Sequence, residues 1–171
     1  MSNEDTAAGR HKTLVRDWFR MFSIRDPAEA ARLASEVAAD LYIEHAIAPF
    51  GQAAPGPVEG PRHLVEASAW LVAQFPDIEM SVEAMVVEDD LVAARVRSTG
   101  TNLGPLNGII PSTGRSFDAH QSHWFRIRDG RIAEHWATRD DLRAMLELGV
   151  ITRPGGERPG LPGAASTTDH R

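Results

Sequence analysis

The chain has 171 residues, a net charge of −6 from 18 Lys and Arg against 24 Asp and Glu, and no cysteine. That length suits one domain with one core. The interspersed charges argue against the clustered basic face of a nucleic-acid binder, and the lack of cysteine excludes disulfides, thiolate metal sites and a cysteine nucleophile.

No stretch approaches the roughly 18 apolar residues of a membrane span. The polar start, residues 1–9, reads as a loose lead without the apolar centre of an export signal. A soluble, cytoplasmic protein is expected.

A first helix is predicted from Arg10 to Ile24, with Leu14, Trp18, Met21, Phe22 and Ile24 on or near one stripe. Asp26-Pro27 supplies an N-cap and a proline at the first helical position. The helix it opens places Ala30, Leu33, Ala34, Val37, Ala38 and Leu41 at helical spacing, and Tyr42 to Ala46 follows as a short extended piece. Residues 47–60 are too rich in Pro and Gly for regular structure. Pro61 opens a third helix that turns Leu64, Ser68, Leu71 and Phe75 inward and stops at Pro76.

The period then changes from 3.6 to 2. Ile78, Met80, Val82, Ala84 and Val86 alternate with polar residues as in a half-buried strand. Glu88-Asp89-Asp90 turns the chain into a second strand, Leu91 to Thr101; a third runs from Phe117 to Arg128 and a fourth from Arg131 to Thr138. Asp129-Gly130 between the last two is a strong hairpin signal, because both residues accept φ > 0. Between the second and third strands, residues 102–115 form a long loop carrying Leu106, Ile109 and Ile110. Such a loop is read either as a lid or partner surface, or as a segment folded back over the core. A short helix ends at Gly149, and the Pro/Gly-rich segment after Arg153 reads as a disordered tail. Helices followed by an antiparallel meander give an α+β class. A strongly curled sheet would leave a cone-shaped pocket.

Strand parity sorts the titratable residues of the third strand. Gln121 and His123 share a face with Phe125 and Ile127, whereas Asp118, His120, Ser122, Trp124 and Arg126 lie on the other. His123 therefore lines a pocket or packs against a backbone carbonyl. A bulge upstream would bring Asp118 or His120 inward. On the fourth strand His135 shares parity with the small Ala133 and Ala137, and Trp136 is a pocket wall or a packed aromatic. Asp140 and Asp141 are acid/base candidates. They also read as helix-capping residues, Asp140 as an N-cap and Asp141 as the end of a Thr138–Asp141 capping box. Arg139 binds a carboxylate or enolate oxygen, or pairs with these aspartates. The histidines are scattered without metal-ligand spacing, so no metal is expected.

Three stretches carry a family resemblance: Glu44-His45 after the second helix, Gly60-Pro61 through Phe75-Pro76-Asp77, and residues 124–149 ending in HWATRDDLRAMLELG. Over about residues 10–150 the chain resembles the SnoaL-like polyketide cyclases, often called ester cyclases, of the nuclear transport factor 2-like superfamily. The resemblance implies a cone-shaped α+β barrel with N-terminal helices packed on a curved, mainly antiparallel sheet, dimeric through that sheet. It also implies ring closure of an apolar polyketide-like molecule by intramolecular aldol condensation, with a carboxylate as general acid/base and no metal or organic cofactor. In one departure, many such cyclases carry an acid immediately after His-Trp, where this chain has Ala137.

The expected catalytic residues are His123, His135, Asp140 and Asp141, and the expected substrate-binding residues are His45, Trp18, Gln121, Trp136, Arg139, Asp118 and His120. His45 is placed at the pocket mouth or at a helix end. Two alternatives use the same fold: a hydrolase, epoxide hydrolase or isomerase in the same pocket, or a non-catalytic small-molecule binding and dimerisation module.

Overall fold

The computed structural model describes residues 6–47 and 55–155. The start of the expected lead, most of the loop after Ile47 and the tail from residue 156 lie outside the described residues.

Helix α1 (Ala7–Arg20) starts earlier than expected, because the Thr6 hydroxyl accepts the Gly9 N–H at 3.0 Å and caps it. A short 3-10 turn, Met21–Ser23, continues it. Asp26 caps helix α2 (Pro27–Val37) by accepting from Glu29 N at 2.8 Å. This helix ends at Val37, short of the expected Leu41. Ala38 and Leu41 belong to strand β1 (Ala38–Glu44), whose backbone pairs with two other strands. Strand β2 (Gly56–Glu59) was also not expected; its Pro57 is tolerated because the strand lies at the sheet edge. Helix α3 (Gly60–Gln74) then crosses close over β1. A Cβ at Gly60 would stand 2.2 Å from the Ala39 carbonyl oxygen, so glycine is required there.

Strands β3 (Glu79–Glu88), β4 (Leu91–Thr101), β5 (Ser116–Arg128) and β6 (Arg131–Arg139) form the expected meander, and helix α4 (Asp141–Glu147) closes the domain. Asp129 and Gly130 both have positive φ, as the hairpin signal requires. The sheet order is β2-β1-β6-β5-β4-β3, antiparallel except for the β1–β6 pair. Helices α1–α3 pack on its concave face around a core that includes Phe19, Leu33, Val37, Val92, Val96, Phe125 and Ile132.

A bulge between Val82 and Ala84 corrects one expectation. The extra residue reverses the parity of β3, so Met85 and Val87 turn inward while Val86 points out, 68% exposed.

The 102–115 loop is folded back and pinned. Buried Gln74 offers its backbone carbonyl to the N–H groups of Leu103 and Gly104, and its side chain accepts from Asn107 N. Buried Asn102 accepts from Thr113 N at 2.8 Å and donates to the Gly104 carbonyl at 2.6 Å. Leu106 is fully buried and Ile110 half-buried, whereas Leu103 and Ile109 are exposed. Gly149, with φ 74°, ends the α4 segment: its N–H donates to the Leu146 carbonyl and that of Val150 to the Met145 carbonyl.

Candidate active site

A cavity of about 320 Å³ opens between α3, α4 and the concave face of the sheet. Phe22, Leu71, Phe75, Ile78, Met80 and Phe117 supply apolar wall, and Glu44, Gln121, His123 and His135 bring connected polar groups to it. That combination suits a site that holds a small apolar molecule and acts on one part of it.

These polar groups form a chain of four side chains from three strands. Gln121 Oε1 lies 2.7 Å from His123 Nε2, and His123 Nδ1 lies 2.9 Å from His135 Nε2. His135 Nδ1 lies 2.9 and 3.0 Å from the two oxygens of Glu44. Period 2 builds this arrangement: Gln121 and His123 point inward from β5, His135 from β6 and Glu44 from β1. His135 pairs in register with Phe125 on one side and Glu44 on the other. Trp18 on α1 covers the imidazoles, its ring centroid 4.8 Å from that of His135 and 5.9 Å from that of His123.

A carboxylate only accepts, so His135 Nδ1–H donates to Glu44. His135 Nε2 then either accepts from His123 Nδ1–H or, when the ring is protonated, donates to His123 Nδ1. In the second state His123 Nε2–H donates to Gln121 Oε1; in the first a rotated Gln121 amide donates to His123 Nε2. The two states differ by one proton and need no movement of either ring.

The electrostatics keep the negative charge on Glu44. Burial would raise its carboxyl, but hydrogen bonds from His135 and His63, the charge of His135 and the Ala46 N–H at 2.8 Å hold it down at about 2. His123 is driven well below the ordinary 6.5, first by burial and then by the positive charges of His135 and Arg139, so it rests neutral. Fully buried Tyr42 stands beside this carboxylate. Burial, and then the charge of Glu44, push its phenol well above the usual range. Neither the Tyr42 hydroxyl nor Trp18 Nε1 completes a hydrogen bond among the described residues.

Of the residues singled out from the sequence, the fold brings Trp18, Gln121, His123, His135, Arg139, Asp140 and Asp141 to the cavity wall. The two aspartates do not join the histidine chain. Asp140 caps α4 by accepting from Arg143 N at 3.1 Å, and Asp141 pairs with Arg139 Nε at 3.3 Å. Thr138 stays in β6, so the capping box does not form. Arg139 also donates to the Ile47 carbonyl, tying the end of β6 to the segment after β1.

Four expected ligand contacts fall on the other face of the sheet. β5 runs without an upstream bulge, so Asp118 pairs outside with Arg97 at 2.7 Å and His120 with Glu83 at 3.4 Å. Trp136 points away from the cavity because it alternates with His135. It stacks on His45, ring centroids 4.4 Å apart, and His45 in turn bonds Glu134 at 3.1 Å. His45 thus lies on the outer face, and its neighbour Glu44 takes the inward place.

Glu44 lies in the Glu44-His45 stretch of the family resemblance but outside the expected site residues. The signal was available: Tyr42, Glu44 and Ala46 share one face by parity, and an acid between two inward positions is exceptional. His63 lies outside the expected site residues as well. It begins a flank of α3, with Ala67 and Trp70, that faces the cavity beside the Leu64–Leu71 stripe.

The family profile for SnoaL-like polyketide cyclases matches residues 18–148. The chain belongs to the SnoaL-like polyketide cyclase family. It is 34% identical to the aklanonic acid methyl ester cyclase DnrD of Streptomyces peucetius over 105 residues, 60% of this chain and 71% of that one. It is 32% identical to the nogalonic acid methyl ester cyclase of Streptomyces nogalater over 53% of this chain and 67% of the relative. Among solved structures, IdmH from Streptomyces antibioticus is 28% identical and superposes with a TM-score of 0.67, covering 81% of this chain and 98% of that one. These relatives support the cyclase expectation, and the SnoaL-like fold matches the expected α+β architecture. No described helix is long and apolar enough to cross a membrane. Within this SnoaL-like frame Ala137 stands directly opposite His123 in the β5–β6 register, so an acid at 137 would face His123 across the pair. Here the carboxylate comes instead from Glu44 on β1 and reaches His123 through His135.

Proposed function

We propose that this SnoaL-like protein closes a ring in the methyl ester of a polyketide-derived acid by intramolecular aldol addition. The relatives' substrates supply the substrate class, and the Gln121–His123–His135–Glu44 chain on the wall of a largely apolar cavity carries the mechanism. His123, resting neutral, takes the proton from the carbon beside the ester carbonyl. Its other nitrogen passes a proton to His135, where the Glu44 carboxylate stabilises the resulting imidazolium. The enolate carbon attacks a ketone carbon of the same molecule; the new C–C bond forms as the C=O π bond opens to an alkoxide. The proton returns along the same chain to that oxygen, leaving enzyme and relay as they began and the product isomeric with the substrate. Arg139 at the cavity wall supplies positive charge for the enolate oxygen.

The test is incubation of the purified protein with aklanonic and nogalonic acid methyl esters, followed by separation of products of unchanged mass. Ring-closed isomer above the protein-free rate, abolished by His135→Ala, supports the reading. No isomer from either ester overturns it.

A homodimer formed through the outer sheet face fits the same reading. Register aligns Val86, Ala93, Trp124 and Trp136 in one row across β3–β6 on that face, with Trp124 44% exposed. A row of apolar and aromatic groups among charged neighbours suits an interface between copies.

A further inference from the structure

The relay ends at Glu44, but Glu44 does not end at His135. Its Oε2 also lies 3.4 Å from Nε2 of His63, which is near the start of α3. The exposures form a gradient: the His63 side chain is 21% exposed, Glu44 10% and His135 5%. Tyr42, whose ring centroid lies 5.9 Å from that of His63, backs the imidazole from β1. Among the described residues, His63 is thus the imidazole that touches both the buried carboxylate and water.

We propose that His63 is a positioning residue that connects the buried relay to solvent through Glu44. This rests on the acid/base reading above and deepens it. Ring closure itself consumes no proton, since the one taken from carbon is returned to oxygen. In the His63 tautomer whose Nε2 carries no hydrogen, a proton held on His135 can nevertheless cross Glu44 to that nitrogen while the other ring nitrogen gives its own to water, and the reverse passage returns a solvent hydrogen. An enolate that returns to carbon then picks up a solvent proton instead of its own. In each such exchange one C–H bond breaks and one C–H bond to a solvent-derived hydrogen forms, with no oxidant, reductant or co-reactant.

The experiment runs the reaction in D2O with aklanonic acid methyl ester and stops it partway. Deuterium beside the ester carbonyl of recovered substrate is compared with product formed, after subtraction of protein-free exchange. His63→Ala and His63→Gln are tested beside the wild type, with folding checked by circular dichroism. Glutamine keeps a donor for Glu44 but cannot relay a proton. Both variants are expected to lower the exchange-to-product ratio by about tenfold, and added imidazole is expected to restore it in His63→Ala. An unchanged ratio, or recovery of the ratio in His63→Gln, overturns the proposal. Exchange that depends on His63 in an ester the protein never cyclises would overturn the ring-closing reading and leave this one standing.

Discussion

His123 Nδ1 and His135 Nε2 lie 2.9 Å apart, both rings buried, and a single proton sits between them. Glu44 sets which side of that contact carries positive charge, because its ionised carboxylate holds only the His135 end. An imidazole held neutral at the cavity, backed by a second that a carboxylate stabilises once it takes up a proton, is an arrangement suited to moving one proton repeatedly.

Glu44→Gln keeps the volume but removes the charge that stabilises His135 as imidazolium. Turnover of the methyl ester is expected to fall by roughly 10²–10⁴ with a smaller change in KM, since the loss is one of proton transfer and not of binding. Steady-state kinetics on the purified variant checks this.

Ala137→Asp places a carboxylate directly across from His123, where cross-strand side chains stand about 4.5–5.5 Å apart. Added to Glu44→Gln, it is expected to recover about tenfold of the lost rate. No recovery would mean that the two carboxylate positions are not interchangeable.

Acid stability has two windows. The folded-state value of His123 lies below the ordinary 6.5, so below that pH the unfolded chain binds a proton the folded one refuses, and stability falls. Glu44, held at about 2 against an ordinary 4.5, adds stability above 4.5 that is lost as the pH falls towards 2. Thermal melting across this range should show a slope beginning near 6.5 that His123→Phe flattens. Glu44→Gln should flatten the lower slope instead.

Gly104→Ala would drive a Cβ to 1.9 Å from the Ala73 carbonyl oxygen, a backbone atom that cannot rotate away. The loop would have to lift from α3 and break the Gln74 and Asn102 hydrogen bonds. A loss of roughly 1–3 kcal/mol is expected, several degrees of Tm by calorimetry.

Trp124→Glu puts a charge into the middle of the apolar row on the outer sheet face. Sedimentation velocity is expected to show a dimer for the wild type and a monomer for the variant, with the pocket on the opposite face unaltered.

Much of this protein can be read from its residues in order. The Asp26-Pro27 cap, the Asp129-Gly130 turn and the unbroken alternation from Phe117 to Ile127 are local signals. Each is set by the conformations its own residues accept, and each lies where the sequence places it. Parity alone put Gln121 and His123 on the cavity side. What local pattern could not decide is where strands meet. Ala38 to Leu41 carries helical spacing but becomes strand, because β6 and β2 offer backbone partners more than a dozen residues away. The β3 bulge turns Val86 outward for a similar reason. The site follows the same rule: β1 pairs parallel with β6, and that pairing alone brings Glu44 to His135, 91 positions later. Sequence determined which side chains could titrate and which way β5 turned its own. The tertiary pairing decided which of them share a proton, because hydrogen bonds reach about 3 Å through space regardless of distance along the chain.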